Sequence, residues 1–541
     1  MQLSPSAYAD TFCRDNLPDP ELWPDLELTL AQLHYPEKLN AADELLAPVI
    51  AAGGGGRRCL LTPTQTWSYA EVAARASQIA HVLTNDLGLV PGNRVLLRGP
   101  NGPWLAACWL AVLKAGGVAV ATMPMLRAAE LSRICDIAQV RLALCDYRLT
   151  EELAGAQVPG LETVAFGAAS DDDLTVRAAA MPTTFASVQT AADDVALIAF
   201  TSGTTGRPKA AMHFHRDLLA VADTFSADVL KPVPDDLFAG TPPLAFTFGL
   251  GALLLFPLRV GAATLLLERA TPAELADQIA DQGVTVLSTA PTAYRAMLSA
   301  GKASQLSGLR RAVSAGEPLP ESTWTGFYQA TGVKIIDGIG STEMLHIFIA
   351  AADDDIRPGS TGRVVPGYTA AVLDDDGKPV PDGELGHLAV KGPTGCRYLN
   401  DDRQLSYVRD GWNLTGDTYI RDADGYFWYQ ARSDDMIISG GYNIAGPEVE
   451  DVLLSHPDVA ECGVVGVPDE ARGQIVKAYV ILRDGAVGDE VKARELQDLV
   501  KAQIAPYKYP RAIEFVQELP RTNTGKLQRF VLRQQAVRQD G

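Results

Sequence analysis

A chain of 541 residues exceeds what one hydrophobic core serves, so two or more domains are expected. Hydrophobic residues make up 47% and charged residues 21%, which excludes a disordered or fibrous chain. With 46 basic against 66 acidic side chains the net charge is −20. That balance disfavours sequence-independent binding to nucleic acid or to an anionic membrane, and any anionic ligand must be gripped by local donors.

The opening MQLSPSAYADTFCRD has no basic or apolar segment, so no signal peptide is expected. The seven cysteines (Cys13, Cys59, Cys108, Cys135, Cys145, Cys396, Cys462) are odd in number, scattered, and form no CxxC pair. They predict reduced thiols in a cytoplasmic protein rather than a zinc or disulfide framework. Residues 18–36 read as an irregular lead-in and 51–56, AAGGGG, as a surface loop. Alternation follows: helix 69–83, strand 94–98, helix 104–115, strand 118–122, helix 131–138, strand 141–145. Lys114 and Gly116-Gly117 break the most membrane-like window, so no span is expected. Thr271-Pro-Ala-Glu274 is a capping box with Gly283 placed to end its helix, then strand 284–289 and helix 291–299. The fold class is α/β, a large N-terminal part of mostly parallel sheets covered by helices. Near residues 432–435 the pattern changes to a small α+β unit: helix 447–454, strands 459–467 and 477–482, helix 491–504, strand 512–516. A boundary is expected there, giving domains 1–433 and 434–541.

Residues 201–209, TSGTTGRPK, lie between two β-like runs, 195–200 and 210–215. Thr201, Ser202, Thr204 and Thr205 supply hydroxyls, Gly203 and Gly206 let the backbone approach a polyanion, and Lys209 brings a point charge. The stretch reads as a triphosphate loop. Only two residues separate its glycines, so it lacks the spacing of P-loop phosphotransferases, which are thereby disfavoured. His213 and His215 at i, i+2 are expected on one face of a strand, and without a third ligand they make no metal site. Asp353–Asp355 and residues 374–376 read as solvated turns.

This string closely resembles the phosphate-loop signature of the acyl-adenylate-forming superfamily, and further motifs in the same order extend the resemblance over nearly the whole chain. Ser314-Ala-Gly-Glu-Pro318 resembles the adenine motif, implying that Ala315, Gly316 and Glu317 lie against the base. Asp337-Gly-Ile-Gly-Ser-Thr-Glu343 resembles the next. It implies that Asp337, Gly338, Ile339 and Gly340 line the nucleotide, that Thr342 touches phosphate and that Glu343 holds Mg²⁺, for which a carboxylate is a suitable hard ligand. Gly411-Trp-Asn-Leu-Thr-Gly-Asp417 implies that Asp417 bridges the ribose hydroxyls. Arg432 matches the arginine at the adenylate, Asp434 the hinge, and Gly440, Gly441 and Tyr442 the loop lining the thiol tunnel. Pro520-Arg-Thr-Asn-Thr-Gly-Lys526 makes Lys526 the adenylation lysine; Thr201, Lys209 and Glu343 complete the implied catalytic set.

The resemblance implies an acid-thiol ligase using ATP, Mg²⁺ and coenzyme A. A carboxylate attacks the α-phosphorus to give acyl-AMP and pyrophosphate, then coenzyme A displaces AMP. With no carrier-domain sequence after residue 541, free coenzyme A is favoured over a peptide-synthetase adenylation role. Residues 341–348, 289–294 and the run ending at Gly251 resemble benzoate-type CoA ligases, and the lead-in resembles their 2-aminobenzoate branch. The aryl pocket is then expected at Ala245, Phe246, Tyr294, Gly316, Gly340, His346 and Ile347, with His346 one turn after Glu343 if that segment is helical. Alternatives are a stand-alone adenylation enzyme and an aliphatic acyl-CoA synthetase of short or medium chain. Partners so implied are an aromatic carboxylate, an acetyltransferase and deacetylase acting on Lys526, and a second copy in a homodimer.

Overall fold

The computed structural model describes residues 3–168, 170–201, 208–432, 435–439, 442–469, 472–504, 506–522 and 525–539. The strand-helix alternation builds two sheets. In the first, Glu162–Phe166, Leu142–Asp146, Arg94–Arg98, Val118–Thr122 and Val195–Thr201 run parallel, and Lys209–Phe214 closes the edge antiparallel. In the second, of nine strands, the central six are parallel, from Ile335–Gly340 through Leu237–Gly240 to Arg58–Leu61. The nearly all-buried helix Pro103–Lys114 and the strand Val118–Thr122 occupy the membrane-like window, turned by Gly116 at φ +74°. The capping box is present: the Thr271 hydroxyl accepts from the Glu274 amide at 3.3 Å, and Glu274 accepts from the Thr271 amide at 2.8 Å. Gly283, at φ +69°, ends that helix.

A third sheet, wholly antiparallel, was not foreseen. It joins Thr369–Leu373, Leu385–Lys391, Trp412–Arg421, Val408–Arg409 and Phe427–Arg432. The turn sequences Asp374–Gly377 and Asp422–Gly425 reverse its chain, each with the glycine at positive φ donating to the aspartate carbonyl.

The C-terminal unit has its own core, from Ile437 to Val500, under helices Gly446–Leu454 and Glu490–Gln503 and the sheet Val459–Asp469, Gly473–Leu482, Ala512–Phe515. The boundary expected at 433/434 falls outside the described residues. Ser322 on the large part donates to Asp451 of the small one at 3.4 Å.

One local reading needs correction. The strand ends at Phe214, and His215 opens the helix His215–Val221, so His213 and His215 do not share a strand face. The Phe214 amide donates to Asp217 at 3.0 Å, the acidic half of a capping box that pulls the chain into a helix one residue early. His215 instead joins the Ala41 amide and the Tyr8 hydroxyl, and full burial lowers its pKa to about 3. Among the described residues no helix is long and apolar enough to cross a membrane.

Candidate active site

Thr201 ends one strand and Lys209 begins the next, directly opposite each other. Ser202, Gly203, Thr204, Thr205 and Gly206 lie outside the described residues. The Lys209 ammonium sits 5.2 Å from the ring centre of Tyr398 and 5.7 Å from that of Tyr407. Lys209 makes no ion pair among the described residues, and two aromatic faces suit an ammonium so placed. The Tyr398 hydroxyl donates to Glu343 Oε1 at 2.5 Å, and Tyr407 bonds the Ser341 hydroxyl at 3.2 Å. Burial and the adjoining Glu343 carboxylate push the Tyr398 phenol far up, so it stays a donor. The second Glu343 oxygen has no hydrogen-bond partner among the described residues. No three His, Cys, Asp or Glu side chains among them form a ready metal cage. One carboxylate with a free oxygen fits a magnesium ion that takes its remaining ligands from phosphates and water.

Across the cleft, Ala315 ends a strand and Gly316 turns the chain at φ +91°. A Cβ built on Gly316 would lie 3.8 Å from Lys526 Cε, so the C-terminal lysine reaches the adenine motif. More than a third of Lys526 is open to solvent, yet surrounding protein lowers its pKa, opposed by the charges of Glu317, Asp417 and Glu343. Asp417 accepts from Arg432 at 3.1 Å, and Gly416 at φ +77° leaves room for that guanidinium, which a Cβ would meet at 2.8 Å. Three motifs that are distant in sequence thus converge on one lysine.

Asp337 ends in a narrow crevice shared with Trp324, Ile335 and Ser360. Its Oδ1 is buried without a hydrogen-bond partner among the described residues, and burial pushes its pKa up to about 7, opposed by Ser314 and the Gly338 amide. Between an unfolded carboxyl near 4 and this value the folded protein holds a proton that the unfolded chain has released, so stability falls as pH rises through that window. One unit corresponds to about 1.4 kcal/mol, and partial solvent access to the residue reduces the whole effect to roughly 2 kcal/mol. Asp337→Asn is therefore expected to melt higher than the parent at pH 8, with the gap closing by pH 4. A gap independent of pH would remove the buried proton.

The segment after Glu343 is a turn, not a helix: Leu345 stands at φ +69° and the strand Ile347–Ala350 begins at once. His346 is therefore not one helical turn beyond Glu343. It lies among the rings of Phe225, Phe248 and Phe256, at 5.4, 5.6 and 4.5 Å. Its Nε2 faces the Phe248 carbonyl at 3.4 Å, its Nδ1 is buried without a hydrogen-bond partner among the described residues, and desolvation lowers its pKa to about 3, leaving a neutral imidazole. Gly340 permits the crossover, since a Cβ there would meet the His346 carbonyl at 2.6 Å. On Gly251 a Cβ would sit 2.3 Å from His346 Cδ2. Ala245 and Phe246 are half-buried in the approach to helix Thr247–Leu250, and Ile347 is buried against Gly338.

Tyr294 does not belong to this group. It is fully buried, donates to the Val313 carbonyl at 3.0 Å and packs edge-on against Phe327 at 4.9 Å. Its companions Ala312 and Ile335 alternate along their strands with Val313 and Ile336, which share the core of Phe225 and Phe256. Tyr294 therefore lies on the opposite face of the nine-stranded sheet. Asp434, Gly440 and Gly441 lie outside the described residues, and Tyr442 is described only as the start of a short strand.

Behind Thr342 stands a buried network that sequence reasoning missed. His213 Nε2 donates to the Thr342 carbonyl at 2.8 Å, and its Nδ1 is 3.8 Å from Asp217, which accepts from Arg397 at 2.8 Å. Burial alone would raise the Asp217 carboxyl, but Arg397 and His213 hold it well below the usual range.

A model of the AMP-binding enzyme family matches residues 49–397, and one of the AMP-binding enzyme C-terminal domain matches 448–526. The benzoate-CoA ligase of Thauera aromatica is 36% identical over 511 residues, covering 93% of this chain and 97% of that protein. The 3-hydroxybenzoate-CoA ligase of Aromatoleum sp. (strain CIB) is 32% identical, over 92% and 97%. Among solved structures, the anthranilate CoA ligase AuaEII in complex with anthranoyl-AMP superposes with a TM-score of 0.90 at 35% identity, covering 94% of this chain and 100% of that one. With a family model spanning most of its length and relatives aligned nearly end to end, the chain belongs to the AMP-binding enzyme family.

Proposed function

We propose that the chain is an AMP-forming aryl-CoA ligase acting on benzoate or an ortho-substituted relative such as 2-aminobenzoate. The observation that carries this reading is the meeting of Lys526 with Gly316, Asp417 and Glu343 in one cleft. In the first step a carboxylate oxygen of the acid bonds to the α-phosphorus of ATP and pyrophosphate leaves. The Lys526 ammonium faces the charge that builds on the α-phosphate. The 201–209 loop with Lys209 surrounds the outer phosphates. Asp417 accepts from the ribose hydroxyls, with Arg432 beside it. Ala315, Gly316, Glu317 and the Asp337–Gly340 strand end flank the base. Magnesium on Glu343 supplies positive charge to the phosphates when bound. Catalysis here is mainly placement and electrostatics. In the second step the coenzyme A thiolate attacks the acyl carbonyl and AMP leaves. Asp434, Gly440, Gly441 and Tyr442 are assigned to the hinge and thiol tunnel by their motif, and domains 1–433 and 434–541 divide the work between them. The solvent-open Lys526 is also assigned as a site of acetylation in a cytoplasmic enzyme, where loss of its charge would silence the first step.

His346 and its ring of phenylalanines support the aryl assignment. Flat rings give an aryl acid contacts that a flexible alkyl chain does not match. Nε2–H directed at the Phe248 carbonyl leaves Nδ1 a lone pair able to accept from an ortho amino or hydroxyl group. Pyrophosphate release across a panel of aryl and alkyl acids tests the function: benzoate and 2-aminobenzoate are expected to give the highest kcat/KM, and octanoate or acetate in first place would overturn it. His346→Ala is expected to cost the 2-amino acid about tenfold more than benzoate, roughly one hydrogen bond. Equal losses would clear His346 of any part in specificity.

A further inference from the structure

Tyr398 meets both Lys209, 5.2 Å from its ring centre, and Glu343, to which its hydroxyl donates. Residues 397–399 lie antiparallel beside the strand Lys209–Phe214, with the Met212 amide donating to the Arg397 carbonyl at 2.8 Å and the Leu399 amide to the Ala210 carbonyl at 2.9 Å. Gln404 fixes the segment from the other side, accepting from the Tyr398 amide at 3.0 Å and donating to the Cys396 carbonyl at 3.1 Å. The ring is fully buried, edge-on to Tyr407 at 5.8 Å. From that fixed ring the hydroxyl donates to Glu343.

We propose that Tyr398 is a positioning residue that holds the Glu343 carboxylate in the orientation needed for magnesium, and that its ring sets the place of Lys209 over the phosphates. The inference rests on the ligase reading above. A glutamate that binds a metal through one oxygen must be stopped from turning, and a donor fixed on its other oxygen does this at little entropic cost. Removing such a supporting donor typically lowers metal affinity or activity about 10- to 100-fold. The ring acts separately: a cation over an aromatic face is held in place without the neutralising partner that would weaken its pull on phosphate. Hydroxyl and ring therefore make separable contributions, to the metal and to the lysine.

The test uses the full chain with Mn²⁺ and α,β-methylene-ATP, reading bound Mn²⁺ by electron paramagnetic resonance, together with the Mg²⁺ dependence of pyrophosphate release. Tyr398→Phe keeps the ring and is expected to raise the metal concentration for half-saturation about tenfold, with KM for the aryl acid unchanged. Tyr398→Leu is expected to weaken the nucleotide further. In a Glu343→Gln background, Tyr398→Phe should add no further loss, because both changes remove one arrangement. Unchanged Mn²⁺ affinity in Tyr398→Phe, or additive losses in the double variant, would overturn the proposal. A parent protein that released no pyrophosphate with any acid would instead overturn the ligase reading. Melting curves of the near-isosteric phenylalanine variant, expected to match the parent, separate either result from misfolding.

Discussion

Lys526→Ala is expected to lose acyl-adenylate formation by a factor of about a hundred to a thousand, the usual cost of one charged donor at a transition state, while thioester formation from presynthesised acyl-AMP stays near the parental rate. Burial lowers the Lys526 pKa and the charges of Glu317, Asp417 and Glu343 oppose that shift; on the proposed reading its ammonium meets the α-phosphate. Its main-chain ties, the amide donating to the Thr522 hydroxyl at 3.1 Å and the carbonyl accepting from the Thr522 amide at 2.7 Å, do not depend on the side chain. Measuring pyrophosphate release and acyl-CoA formation separately decides the matter. Equal loss in both half-reactions would remove Lys526 from the first step.

Asp217→Ala is expected to destabilise the large domain by about 3–5 kcal/mol, the cost of leaving one member of a buried ion pair uncompensated. Arg397 has no exposed surface, and its Nε and Nη2 already lack hydrogen-bond partners among the described residues. Asp217 also receives the Phe214 amide. Thermal melting followed at a tryptophan signal of this domain gives the shift, since a chain of several domains does not unfold in two states. The double change Asp217→Leu with Arg397→Met should recover much of the loss, as apolar replacement of a buried pair often does. A single variant that melted like the parent would show that the pair is solvated after all.

How far the sequence could be read depended on whether the partners were local. The loop 201–209, the capping box at Thr271 and the small C-terminal unit are written in adjacent residues, and each could be placed from its own string. His215 was misplaced because the helix signal lies in Asp217, three positions beyond Phe214, inside what looked like a strand. The turn at Leu345 defeated a helical spacing argument for His346, since a non-glycine residue at positive φ leaves no composition cue. Tyr294 sits among apolar residues whichever face of the sheet it takes, so its side could only be settled by the register of the strands next to it. Tyr398, 189 positions from Lys209 and 55 from Glu343, had no local signal at all; nor did Arg397 and Asp217. Contacts between remote turns are fixed by topology, and topology is what a single sequence states least directly.

The absence of a methyl group at position 251 bears on how such an enzyme could change its diet. Gly251 backs the imidazole of His346, which a Cβ there would meet at 2.3 Å. An alanine there would force the imidazole to shift, without altering any residue expected to line the aryl pocket. Substrate range can then drift by edits made one layer behind the wall, and a survey confined to lining residues would find two such enzymes identical.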